Sequence, residues 1–425
     1  MDHIQQLLDR RRGTADAVLG HLRPDVDIVV PIANGEPVTV LDALERAGRD
    51  GQLQDVRLHQ MHALHDRDYL HGRVGGMRHI SYFLSHITRP AFHAGTIDLV
   101  PNHFSEVPVL LDTARDVELV VASAAPPDEH GFFSLGTTGG YTSALIGRVP
   151  FFIEANARMP ATRGRNRVHI NDVIGWCEAD YPLVEVPPPV PDEIANRIAD
   201  HVAERVPNGA TIQAGIGAVP EALLAKLAGH RDLSIHTELF ADGLMGLATS
   251  GAVRLDRPAI TTFALGTQAL YDYIEDNPTV QFHRVDVVNS REEIAQHPSF
   301  VSINATVEVD LYGQCASETI NGKYWSSSGG QADFARGALH SPGGKGFIVL
   351  PSTARGGSLS RIVGRLTAGS VVTTLKNTVD HVVTEHGVAE LRGRSLRERA
   401  AQLIGIADPA HRPELWRAAR DMDLA

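Results

Sequence analysis

The sequence predicts an α/β protein made of two similar domains, each built on a mostly parallel sheet. A chain of 425 residues is too long for one hydrophobic core. Short apolar runs alternate with amphipathic helical stretches, which is the rhythm of βα units. Near the middle that rhythm breaks at a cluster of prolines and then starts again.

In the first half, "VDIVVPIA" (26–33), "TIDLVP" (96–101) and "VELVVASAA" (117–125) read as strands, and "VTVLDALERAG" (38–48) reads as a helix. The seam is "VEVPPPVPDEIANRIADHVAERV" (184–206). Pro187, Pro188, Pro189 and Pro191 fit neither a helix interior nor a central strand. Asp192 is then placed to cap a helix over 192–205. Beyond it come strand "ATIQAGIG" (210–217), helix "PEALLAKLAGH" (220–230), strand "LSIHTE" (233–238) and helix "GLMGLATSG" (243–251). Further strands are expected at "AITTFALG" (259–266), "FVSINATVEVD" (300–310) and "GFIVLPS" (346–352). The expected division is therefore 1–186, a proline linker at 187–191, and 192–425.

Composition excludes several functions. A net charge of −12 argues against nucleic acid or an anionic membrane surface as partner. An anionic ligand would need backbone N–H groups and local arginines, since the four lysines are Lys226, Lys323, Lys345 and Lys376. Cys177 and Cys315 form no CxxC and suit a reducing compartment. The polar "MDHIQQLLDRRRGTADAVL" has no signal-peptide core, and no apolar run reaches the ~20 residues of a membrane helix. A soluble, cytoplasmic protein is expected.

Three stretches carry candidate chemistry. In "TIQAGIGAVPEALL", Gly215 and Gly217 let the backbone approach a ligand, and the following helix offers its positive end to an anion. With Glu238 near the position of a ribose acid this imitates a dinucleotide-binding unit, but Pro220 stands where the third glycine belongs. An NAD-binding oxidoreductase is the remote alternative; a plain strand-to-helix turn is the ordinary one. In "SIHTELFADGL", Glu238 ends a strand where parallel sheets bind ligands, although such glutamates more often cap a helix or pair with arginine. In "SETINGKYWSSSGGQADFARGALHSPGGKGFIVLPS", Glu318 sits near Gly329 and Gly330, and Gly343 and Gly344 precede Lys345. Clustered amides plus a cation suit phosphates or an oxyanion, and surface loops are the plain alternative. His59, His62, His65 and His71 would spread around a helix axis and lack an HExxH pattern, so no metal site is expected.

Taken together, "PPDEHGFFSLG", "IEANARMPATRG", "QAGIGAVPEALL", "HTELFADGL", "FVSINATVEVDLYGQ", "SETINGKYWSSSGGQADFARGA", "GGKGFIVLPSTA" and "VVTEHGVAELRGRS" resemble the acetyl-CoA hydrolase/transferase family. This is the branch of class I CoA-transferases that includes 4-hydroxybutyrate CoA-transferase, and the resemblance covers nearly the whole chain. It implies two α/β domains, acyl-CoA and a small carboxylic acid as substrates, no tightly bound cofactor, and a homodimer or larger homo-oligomer. It also implies that a glutamate attacks the thioester, forming an acyl-glutamyl anhydride and then a glutamyl-CoA thioester. The family nucleophile lies in a His-Ser/Thr-Glu block, here His236-Thr237-Glu238. "SETING" imitates the Ser-Glu-Asn-Gly motif of other class I enzymes, but Glu318 does not follow the strand and glycine turn that Glu238 follows. Glycine-flanked amides of Ile216 and Gly217, one short helix before Glu238, are well placed in the sequence to serve the oxyanion of the chemistry that the resemblance implies. The resemblance gives Gly215, Gly217, Gly329, Gly330, Gln331, Gly343, Gly344 and Lys345 to CoA, and Tyr324 and Trp325 to the acyl pocket. Arg336, Lys345 and Arg355 are candidates for the CoA phosphates. An acyl-CoA hydrolase would use the same residues. Two departures from the family pattern, the glycines 139 and 140 and the short stretch from Tyr141 to Pro150, bear on acyl specificity.

Overall fold

Apolar runs without alternation become strands only where both faces of a sheet are covered. Val117–Ala124 is such a run, buried from Leu119 onward in the interior of a seven-stranded sheet. The computed structural model describes residues 3–113 and 117–425, which divide into two compact units. The first comprises residues 1–186 and 258–288; the second comprises 187–257 and 289–425.

In the first unit the strands are β1 (Asp27–Val29), β2 (Val56–Gln60), β3 (Met77–Ser81), β4 (Asp98–Leu99), β5 (Val117–Ala124), β6 (Phe151–Asn156) and β7 (Val173–Ala179). They pair in the order β7-β6-β5-β1-β2-β3-β4, every pair parallel. Helix α1 (Val38–Arg49) connects β1 to β2 and buries one apolar stripe, including Val40, Leu41 and Leu44. Pro37 gives this helix no side-chain cap. The buried Glu154 on β6 accepts hydrogen bonds from the N–H groups of Thr39 (2.7 Å) and Val40 (3.1 Å) instead. A cap of this kind contributes on the order of 1 kcal/mol and ties the helix to the sheet.

In the second unit β8 (Thr211–Ala214), β9 (Ser234–Ile235), β10 (Phe300–Ala305), β11 (Lys345–Val349), β12 (His381–Thr384) and β13 (Gly387–Glu390) form a sheet ordered β9-β8-β10-β11-β12-β13. All pairs are parallel except β12 with β13, which form a hairpin. Helices α2 (Glu193–Ala203), α3 (Ala218–Leu227), α4 (Asp242–Thr249) and α5 (Gln331–His340) belong to this unit. Asp192 caps α2 as expected, its carboxylate accepting from the N–H of Ala195 at 2.7 Å.

The division differs from a simple split at the prolines. Strand Ala259–Thr261 pairs with Val280–Phe282, which pairs in turn with Arg163–Gly164, so the chain returns to the first unit for residues 258–288. Nothing in local composition marks this return, because the pairing partners lie about a hundred residues earlier in the chain. Gly139 and Gly140 have a packing reason: both N–H groups donate to the carbonyl of Thr262, and a Cβ on Gly139 would stand 2.7 Å from the His283 carbonyl oxygen. After Tyr141 there is a single 3-10 turn, Thr142–Leu145, and Pro150 leads directly into β6.

Candidate active site

The strand order of the second sheet reverses at β8: β9 lies on one side of it and β10 on the other. In open parallel sheets the crevice at the carboxyl ends of such strands is where ligands bind. Gly215 leaves β8 at this edge with its N–H donated to Ile303. Gly217, at φ 124°, opens α3. The N–H groups of Ile216 and Gly217 have no hydrogen-bond partner among the described residues, and Ile216 is exposed. Beneath the turn, Gln213 of β8 and Ser302 and Asn304 of β10 form a closed buried network, with Ser302 Oγ donating to Gln213 Oε1 at 2.7 Å. Pairing between β8 and β9 aligns Ile212 with Ile235, so continued register brings Glu238 level with Gly215.

Glu238 is held from several directions. Asn289 Nδ2 donates to its Oε2 at 2.8 Å, and the N–H of Gly330 donates to the same carboxylate. Gly330 caps α5, so the helix N-terminus is directed at the negative charge. The fit requires glycine by close approach alone, since φ at Gly330 is an ordinary −96°. A Cβ there would stand 1.9 Å from Glu238 Oε2 and 2.3 Å from Asn289 Nδ2. Behind the carboxylate, the buried His236 packs against the rings of His297, Phe300 and Phe334.

These surroundings set the charge state. Burial raises the Glu238 pKa, the Asn289 amide lowers it, the buried Asp333 raises it, and the Gly330 N–H lowers it. The result is a carboxyl pushed up to about 7. Such a group is part ionised at neutral pH and poorly solvated, which is what a carboxylate nucleophile needs.

The remaining expected residues divide. Gly329, Gly330 and Gln331 lie at the start of α5 beside Glu238, with Gln331 Nε2 donating to Thr374 Oγ1 at 3.2 Å. Tyr324 and Trp325 belong to a hairpin, Thr319–Ile320 with Lys323–Tyr324, turned by Asn321 and Gly322 at φ 51° and 71°. The Glu318 carbonyl closes it by accepting from the N–H groups of Trp325 and Ser326. Most of "SETINGKYW" is thus an Asn-Gly hairpin. Trp325 is 46% exposed.

Gly343, Gly344 and Lys345 are not brought to the glutamate. Gly343 and Gly344 precede β11 and Lys345 begins it, at the amino-terminal edge of a parallel sheet, opposite the edge that carries Gly215 and Glu238. Gly344 is glycine because Ala338 O would lie 2.2 Å from a Cβ, and Lys345 Nζ donates to Arg205 O at 2.9 Å. Arg336 and Arg355 are exposed on the surface. The four histidines occupy a strand end, a loop and a 3-10 turn, so the helical-face reasoning does not apply to them. His59 is buried between Asp27 (2.6 Å) and Tyr82 (3.0 Å), His65 pairs with Glu36, and His71 with Asp66. Among the described residues no three His, Cys, Asp or Glu side chains are grouped to hold a metal ion. Asn289 and Asp333 were not anticipated as site residues.

Fold and site together define a class of α/β proteins that carry a desolvated carboxyl at a sheet switch point. The family is specific: residues 9–207 match the acetyl-CoA hydrolase/transferase N-terminal domain and residues 266–419 its C-terminal domain, and the chain belongs to this family. It is 42% identical to the succinyl-CoA:cyclohexane-1-carboxylate CoA transferase of Geobacter metallireducens, over 92% of this chain and 91% of that protein. It is 37% identical to the 4-hydroxybutyrate coenzyme A transferase of Clostridium kluyveri, over 97% of each. The crystal structure of RipA from Yersinia pestis superposes with a TM-score of 0.95 at 33% identity, covering all of both chains. The chain is accordingly an enzyme of the CoA-transferase class. Among the described residues no helix is long and apolar enough to cross a membrane.

Proposed function

We propose that the enzyme moves CoA from an acyl-CoA to a small carboxylic acid, with Glu238 as the nucleophile. The observation that carries this reading is the Glu238 carboxylate itself: packed about by protein, raised to about 7, and fixed by Asn289 and the Gly330 N–H at the ligand edge of the sheet. Its attack on the thioester carbonyl expels the CoA thiolate and leaves an acyl-glutamyl anhydride. The thiolate then attacks the glutamyl carbonyl, releasing the first acid and forming a glutamyl-CoA thioester. The second acid attacks that thioester to give a new anhydride and thiolate. Thiolate attack on the acyl carbonyl then releases the new acyl-CoA and restores Glu238. The unpartnered amides of Ile216 and Gly217 are offered to the developing oxyanion, where one donor is typically worth about 100- to 1000-fold in rate. Gly329, Gly330 and Gln331 would lie along the thioester, and the exposed Trp325 with Tyr324 would wall the acyl group. The family name also covers hydrolases, so hydrolysis by the same residues is the second reading. The reading includes a cytoplasmic homo-oligomer, testable by gel filtration and fractionation.

The test is incubation with a panel of acyl-CoAs, trapping with borohydride or hydroxylamine, and mass analysis of the Glu238 peptide. Modification at Glu238, with no free thiol released and a new acyl-CoA formed once an acceptor acid is added, supports transfer. Steady thiol release without acceptor supports hydrolysis. Modification at Glu318, or none during turnover, overturns the assignment.

A further inference from the structure

The first unit contains a cleft of 500 Å³ that none of the candidate residues above lines. Three arginines, Arg163, Arg165 and Arg167, line it from within one five-residue stretch. The stretch is pinned: Arg163–Gly164 pairs with Gln281–Phe282, and a Cβ on Gly164, at φ 128°, would stand 2.2 Å from the Phe282 carbonyl oxygen. Gln281 and His283 add polar groups to the same cleft.

The charges are incompletely balanced. Arg163 pairs with Asp276 at 2.5 Å, and Arg167 pairs with Asp128 while lying 4.9 Å over the Phe132 ring. Arg165 forms no ion pair among the described residues. Both existing pairs are partly exposed, and pairs of that kind typically contribute less than about 1 kcal/mol, so a ligand anion competes with them at small cost. Guanidinium forks match phosphate oxygens in bidentate geometry, and three in a row span more than a single carboxylate can use.

We propose that this cleft binds the multiply charged phosphate group of a small molecule, through Arg165 with Arg163 and Arg167. Two sources share that chemistry: the phosphates of CoA, which rests on the proposed function, and a separate phosphorylated metabolite. The test is calorimetric titration of the full chain with inorganic pyrophosphate at low salt. Saturable binding is expected, weakened about 10-fold in Arg165→Gln, which breaks no native ion pair, and tightened in Asp276→Asn, which frees Arg163. Displacement by CoA identifies the substrate's own phosphates as the source, the 3′-phosphate if dephospho-CoA fails to compete and the diphosphate if both compete; displacement by neither identifies a separate ligand. Absence of saturable binding, or equal affinity in folded Arg165→Gln, overturns the proposal. Transfer activity is read separately on acyl-CoA, so either reading can fail while the other stands.

Discussion

Gly330→Ala tests whether the position of the Glu238 carboxylate is what the site depends on. The substitution adds one methyl at φ −96° and ψ 5°, where alanine incurs no backbone penalty. That methyl would lie 1.9 Å from Glu238 Oε2 and 2.3 Å from Asn289 Nδ2. Carbon and oxygen in contact need roughly 3.2 Å or more, so the carboxylate must retreat by more than about 1 Å. Both clashing atoms are ends of side chains, so rotation relieves the clash without unfolding the sheet. The retreat stretches the 2.8 Å bond from Asn289 and the bond from the Gly330 N–H. A misplacement of about 1 Å typically costs on the order of 100-fold in rate. The expected result is a fall in kcat of about 100-fold or more, with Tm within a few degrees of the parent. Transfer would be followed by chromatographic separation of the two acyl-CoAs, and folding by calorimetry. A stable variant with kcat within threefold of the parent would refute the reasoning.

Three other outcomes follow from the same geometry. With Glu238 raised to about 7, transfer rates should climb with pH through that value as the nucleophile ionises, measured as kcat/KM between pH 5 and 9. Because the folded carboxyl holds its proton above its ordinary 4.5, the fold loses stability as pH rises from 4.5 to 7. Glu238→Gln should therefore abolish transfer yet stabilise the protein by roughly 1–3 kcal/mol at pH 8 and by almost nothing at pH 4, read from urea unfolding. Asn289→Ala removes a donor to the carboxylate, so the rising limb of the pH profile should move upward while kcat falls about 10-fold; an unmoved limb would leave Asn289 as packing only.

Much of the fold was legible because it rests on short-range patterns. Apolar runs, the proline cluster and Asp192 each report a local preference that the folded chain keeps. The Asn321-Gly322 turn was also legible but was read as part of a ligand loop, since glycine serves turns and ligand contacts equally well. Gly343, Gly344 and Lys345 looked identical in kind to Gly329 and Gly330. The difference is which edge of the sheet each pair reaches, and strand direction is not a property of either dipeptide.

The sequence by itself determined the two α/β units, the family, and Glu238 as the carboxylate to examine, because those depend on periodicity and on contiguous motifs. Tertiary structure alone decided that residues 258–288 return to the first unit and that Asn289 and Asp333 face Glu238. It also showed that Gly330 is glycine because a carboxylate occupies the space of its missing side chain. The charge state of Glu238 is decided at the same level. Desolvation and opposing dipoles act over a few ångströms of space, between residues that stand 51 to 95 positions apart in the chain.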